Sequence, residues 1–145
     1  NSFVAGFIGS PKMNFLEAEV VKANAGGSTV RIKSSDLIRV EVDASAAKSG
    51  DKVMLGIRPE HFVVGATQNT IQASINFVES LGSATEAYFV FPGAEEALTC
   101  HLSGNSTVAA GDVLQLGLPA AHCHLFTAAG VAMRRRYQMP QRRVV

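Results

Sequence analysis

Apolar and polar residues alternate along most of this chain with a period of two. Val30 and Ile32 alternate with Arg31 and Lys33, and Ile38, Val40 and Val42 with Arg39, Glu41 and Asp43. This is the pattern of strands with one face in a core and the other in water. Val53, Leu55 and Ile57 make the next inward row, and Pro59 stops it because proline has no N–H for the ladder. Further on, Ile71, Ala73, Ile75 and Phe77 form a row, then Leu98, Cys100 and Leu102, then Leu114, Leu116 and Leu118. Residues 85–91 read as a returning strand and 131–137 as a final one. Turn signals separate the rows: residues 24–28, Leu81-Gly82-Ser83, Pro92-Gly93 and Ala128-Ala129-Gly130. The start differs. Phe3, Val4, Phe7 and Ile8 have helical spacing, which predicts a short helix ended by Gly9-Ser10-Pro11.

The pattern also repeats. Gly50-Asp51, Leu55-Gly56-Ile57 and His61 recur sixty-one residues later as Gly111-Asp112, Leu116-Gly117-Leu118 and His122. A fixed period of this size predicts two similar structural units. The expected division is a helical stub over 1–12, a first β unit over 13–66, a second over 67–133 and a tail over 134–145. Each unit has about five short strands, which suits a small barrel or sandwich. The fold class read from the sequence is all-β with a short N-terminal helix.

Composition narrows the function. Apolar residues at 47% and charged residues at 17% are those of an ordinary globular protein. No apolar run approaches the roughly 18–20 residues that span a bilayer. Residue 1 is Asn and the start lacks the features of a signal peptide, so the chain reads as a fragment of something longer. The net charge of +1 hides an asymmetry, because residues 1–133 carry eight basic and twelve acidic side chains. The basic character belongs to the tail, with Arg134, Arg135, Arg136, Arg142 and Arg143. Cys100 and Cys123 are too few for a disulfide scaffold and are expected as free, buried thiols.

Catalytic motifs are absent. The sequence has no G-x-x-x-x-G-K-[ST] loop, no G-x-G-x-x-G opening a helix and no G-x-S-x-G elbow, so no catalytic residue is assigned. His122-Cys123-His124 would set two imidazoles on one face of a strand, with Cys100-His101 as further donors. Without a C-x-x-C pair, the expectation is no metal. The arginine tail raises nucleic-acid binding as a third-ranked reading. Single-strand binders need exposed aromatics, whereas Phe89 and Phe91 sit in a core row, so no nucleic-acid partner is expected. Arg58, Glu60 and His61 follow an apolar strand and are held by Pro59, which suits either a local ion pair or a docking surface.

Longer motifs carry a family resemblance. Asn1 to Phe15 resembles the "N-x-F-V-A-x-F-I-G-S-P-x-M-N-F" run that follows the nucleotide-binding domain in ATPase subunits of bacterial sugar ABC importers. Leu55 to His61 resembles their "L-G-I-R-P-E-H", and Glu79-Ser80-Leu81-Gly82 with Thr85 their "E-x-L-G-x-x-T". His124-Leu125-Phe126 with Gly130 resembles the closing "H-L-F-x-x-x-G". The nearest likeness is to the maltose/maltodextrin group.

The resemblance implies a regulatory and dimerisation region of two OB-type barrels, the TOBE architecture, with residues 1–12 ending a linker helix from a nucleotide-binding domain. It implies that ATP and Mg belong to that other domain, with no cofactor in this stretch. The partners it implies are a second copy, the membrane-spanning permease subunits and a regulator of the phosphotransferase type, at the cytoplasmic side of the inner membrane. On that reading Phe3, Phe7, Ile8 and Phe15 are the expected partner or dimer interface. Arg58, Glu60, His61, Gly82 and Ser83 are the expected regulatory docking surface. A different class is an oxyanion-binding paired barrel of the molybdate type, whose expected loop is Ser103, Asn105, Ser106 and Thr107 around Gly104.

Overall fold

A computed structural model describes residues 12–135. The strands are β1 (Asn14–Lys22), β2 (Ser28–Ile32), β3 (Leu37–Val40), β4 (Lys52–Ile57), β5 (Val63–Val64) and β6 (Thr70–Ser74). They continue as β7 (Phe77–Ser80), β8 (Ala84–Phe89), β9 (Leu98–Ser103), β10 (Val113–Gly117) and β11 (His124–Thr127). Among the described residues the helical elements are two 3₁₀ turns, Pro59–His61 and Ala120–His122. The helix expected near the start, with Phe3, Phe7 and Ile8, lies outside the described residues, as do residues 136 and 137 of the expected last strand. The protein is all-β.

Three open sheets form, with strand orders β11-β4-β1-β2-β3, β5-β10-β6 and β7-β8-β9. The expected closed barrels are therefore not what the strands build. Residues past β11 reach both edges of the five-stranded sheet, but through single bridges, Phe126 to Ala132 and Val42 to Arg135. So short a stretch gives isolated hydrogen bonds in place of a ladder.

The repeat is visible in the topology as an exchange. β5 leaves the first unit and pairs with β10, matching Val63 with Gly117 and Val64 with Leu116. β11 returns from the second unit and pairs with β4, matching His124 with Gly56 and Leu125 with Leu55. Each pairing is the other moved by sixty-one residues. The strand that closes the second half thus belongs to the sheet of the first.

The inward rows are as expected for Val30, Ile32, Ile38, Val40, Val42, Val53, Leu55 and Ile57, all at 3% exposure or less. One contiguous core also takes Ile71, Ala73, Ile75, Phe89, Phe91, Leu98, Cys100, Leu116, Leu118 and Cys123. Both thiols are free and buried. The row ending in Phe77 is a miss. The chain breaks at Ile75-Asn76, where the Asn76 N–H donates to Tyr88 O and the Asn76 side chain accepts from the Val90 N–H. That kink resets the alternation, and Phe77 emerges 58% exposed beside Tyr88.

Candidate functional site

The repeated residues build matching turns in the two halves, and the last pair of them meets at a junction between the halves. Gly50 and Gly111 start it, with φ of 96° and 97°, a region where a Cβ is strained. Their N–H groups donate to Val20 O and Ile75 O, each at 2.8 Å. Asp51 and Asp112 fix the same turns by accepting the N–H groups of Lys48 and Ala109, each at 2.9 Å. Strands β4 and β10 then run inward, and proline sets the 3₁₀ turn after each. In those turns the His61 N–H donates to Arg58 O at 3.0 Å and the His122 N–H to Pro119 O at 2.9 Å.

The two turns meet through their histidines. The His61 and His122 rings stack with centroids 3.9 Å apart and planes 18° from parallel. His61 Nδ1 is buried and meets no hydrogen-bond partner among the described residues. Burial and the neighbouring His122 hold the His61 pKa below that of free histidine, and Arg58 and Arg135 add to this against the pull of Glu60. His124, half-buried at the start of β11, lies against the Arg135 guanidinium at 3.3 Å. Burial first, then Arg135 and Arg58, press its pKa down to about 4. Arg135 also donates to Ala121 O, which ties the terminal segment to the second turn.

Two asparagines clamp the same junction. Asn14 Oδ1 accepts the Thr99 N–H and its Nδ2 donates to Thr99 O, both at 2.8 Å, joining β1 to β9 across the halves. Asn69 Oδ1 accepts the Arg39 N–H at 2.8 Å, while Nδ2 donates to Arg39 O and Leu118 O at 2.7 Å. That joins β3 to the start of β6. Each amide imitates one residue of a neighbouring strand. The clamps escaped the sequence reading because they repeat at fifty-five residues, the turns between them being of different length.

The remaining expected residues separate into two places. Glu60 is exposed and Arg58 half-buried beside the histidine stack. Gly82 and Ser83 stand elsewhere, in the exposed turn between β7 and β8, where Gly104 presses on them. A Cβ on Gly104 would lie 2.5 Å from Gly82 O and 2.9 Å from Ser83 C. The structure therefore joins the Gly82-Ser83 turn to the Ser103–Thr107 loop. Within that loop the Asn105 N–H donates to Ser103 Oγ, the Ser106 N–H to Ser103 O and the Val108 N–H to Ser106 Oγ. Two of its amides, and that of Val108 just beyond it, are thus engaged by the loop itself; Thr107 is exposed. Phe15 is 9% exposed and set edge-on to Phe126 at 5.7 Å, so its ring is part of the packing between β1 and β11.

His122, Cys123 and His124 do not share a strand face. The first is in the 3₁₀ turn, Cys123 is buried, and His124 begins β11. His101 pairs with Glu86 instead. Among the described residues no group of three or more His, Cys, Asp or Glu side chains is arranged to hold a metal ion. Burial raises both thiols to about 12, which makes them poor nucleophiles. A groove of about 500 Å³ runs past Lys12, Asn14, Tyr88, Glu95 and Thr99.

Two β units interlocked by an exchange of strands define an all-β module of paired OB type. The chain belongs to two domain families: it matches the MalK OB fold domain over residues 9–62 and the TOBE domain over residues 55–126. It is 37% identical over 138 residues to the maltose/maltodextrin import ATP-binding protein MalK of Vibrio vulnificus, an overlap of 94% of this chain and 37% of that protein. The MalK of Vibrio parahaemolyticus is 36% identical over 139 residues, covering 95% of this chain and 37% of that protein. The chain thus spans little more than a third of the length of the curated relatives it matches. In solved structures the same fold occurs in the cytoplasmic molybdate-binding protein ModG, with a TM-score of 0.68 at 12% identity over 79% of this chain and 95% of that one.

Proposed function

We propose that this chain is the C-terminal regulatory and dimerisation region of the ATP-binding subunit of a maltose-type sugar importer. The observation that carries the reading is the collinear match to MalK over 94% of the chain. The motifs behind it fall on structural necessities: the Leu55–His61 run ends β4 and forms the first 3₁₀ turn, and His124–Phe126 makes up most of β11. Catalysis, with ATP and Mg, belongs to a nucleotide-binding domain that these residues do not include. The partners are a second copy, the permease subunits and a regulator of the phosphotransferase type, at the cytoplasmic face of the inner membrane. Glu60, exposed beside the junction, is the polar docking contact, with Arg58 and His61 behind it. The Gly82-Ser83 turn is a second contact, and Phe3, Phe7 and Ile8 are the apolar one, without Phe15, whose ring is taken up by Phe126.

A chimera tests this. The equivalent segment of the Vibrio vulnificus MalK is replaced by this chain, and maltose-dependent ATP hydrolysis is measured with the permease in vesicles. Retained coupling supports the assignment. A chimera that folds and hydrolyses ATP without any response to maltose would reject it. A Glu60→Lys change in the working chimera should weaken coupling or regulation and leave the fold intact.

A further inference from the structure

The histidine stack sits where the exchanged strands depart. β5 begins two residues after His61, and β11 two residues after His122. Each strand is an edge strand of the other unit's sheet and follows directly from one of the two turns, so a change in the separation of the turns bears first on the docking of β5 and β11.

The surroundings set what a proton would do there. Glu60 and Arg58 come from the first turn, His122 from the second, His124 from β11 and Arg135 from the terminal segment. From β9, packed on the first turn, come Cys100, which is in the core, and His101, paired with Glu86. From β3, packed on the second turn, comes Arg39, and just past it Glu41, whose N–H donates to Ala120 O at 3.0 Å. A neutral His61 can leave Nδ1 bare, as the closed stack requires. A protonated ring carries an N–H on both nitrogens, and a buried donor without an acceptor is destabilising. The ring must turn out of the stack to satisfy it.

We propose that the His61–His122 stack is a proton-operated latch on the unit junction, closed when His61 is neutral, and opened by proton uptake that releases β5 and β11. This goes beyond the importer reading and stands or falls apart from it. The lowered pKa of His61 agrees with a latch that is closed at neutral pH. Val63 and Val64 are exposed and lie outside the core, so release of β5 is a local event.

The test is amide hydrogen exchange of the 145-residue chain at pH 7.5 and 5.5, corrected for intrinsic exchange chemistry. Protection of β5 and β11 should fall about three- to tenfold relative to β2 in the native chain, tenfold being about the most one histidine can supply over this pH interval. In His61→Phe, which keeps a stacked ring and removes the titration, the relative change at β5 should be under twofold. Should that variant not fold at pH 7.5, His61→Gln replaces it with the same readings. His124→Asn is the control for the neighbouring ring and should keep the loss at β5. An unchanged loss in the His61 variant would overturn the proposal. So would a loss shared equally by β2, a loss removed by His124→Asn, or no loss in the native chain.

Discussion

Replacing Asn14 by Ala removes a clamp whose worth can be worked from its geometry. The side chain is 6% exposed and makes two hydrogen bonds of 2.8 Å to the backbone of Thr99. Two such bonds contribute about 0.5–1.5 kcal/mol each, and a buried partner left unpaired adds about 1–3 kcal/mol. Here the second contribution is reduced, because the 500 Å³ groove borders both residues and admits water to the freed N–H and C=O. The expected loss is therefore about 2–3 kcal/mol, or roughly 6–12 °C in Tm for a domain of this size. Urea unfolding followed by circular dichroism measures it, with an unchanged m-value showing that the denatured state is the same. A loss below about 0.5 kcal/mol would refute the idea that this amide stands in for a strand residue between the halves. Asn69→Gly gives a parallel reading, since Asn69 has a φ of 56° that glycine accepts without strain. Its side chain is less buried, and about 1–2 kcal/mol is expected.

Three other outcomes follow from the same physics. Gly104→Ala should destabilise by about 1–3 kcal/mol and move the Gly82-Ser83 amide resonances, because backbone atoms leave no room for the methyl; unchanged resonances there would contradict the contact. His124 binds its proton more weakly folded than unfolded, so stability should fall as pH drops from about 6.5 towards 4. Allowing for solvent at a half-buried ring, about 1–2 kcal/mol is lost between pH 7.5 and 4.5; His124→Gln should flatten this part of the unfolding profile, and an unaltered profile would count against it. Cys100 and Cys123 should resist a thiol reagent at pH 8 in the folded chain and react fully in urea, while rapid labelling of the native protein would disprove their burial.

The period-two rows were legible because they record burial, which is local in sequence once a strand is straight. Val30 to Val42 and Val53 to Ile57 were read correctly for that reason. Phe77 was misread because a single kink at Ile75-Asn76 changes the phase, and nothing in the apolar pattern marks it. The repeat in Gly50–His61 and Gly111–His122 announced two units, yet not their exchange of strands. Pairing partners such as Leu55 and Leu125 are chosen by packing at long range. Closed barrels were expected since ten short strands could form them, but sheet closure depends on tilt and stagger that alternation does not encode. At the junction His61 was singled out beside Arg58 and Glu60. His122 stood out as its repeat counterpart sixty-one residues on, but spacing does not show that the two rings stack, and the clamps Asn14 and Asn69 have nothing in the apolar pattern to mark them.

The exchanged β11 also gives the chain a schedule. Leu55 waits for Leu125, seventy residues downstream, before the edge of β4 is covered. At roughly 5–20 residues per second of synthesis, that edge stays unpaired for about 4–14 s after it leaves the ribosome. A product that stops anywhere before β11 keeps an open, apolar strand edge, the form that aggregates or is captured by quality control. The first unit is thus the first to be made and among the last to be finished, and its completion certifies that the second has been translated in full.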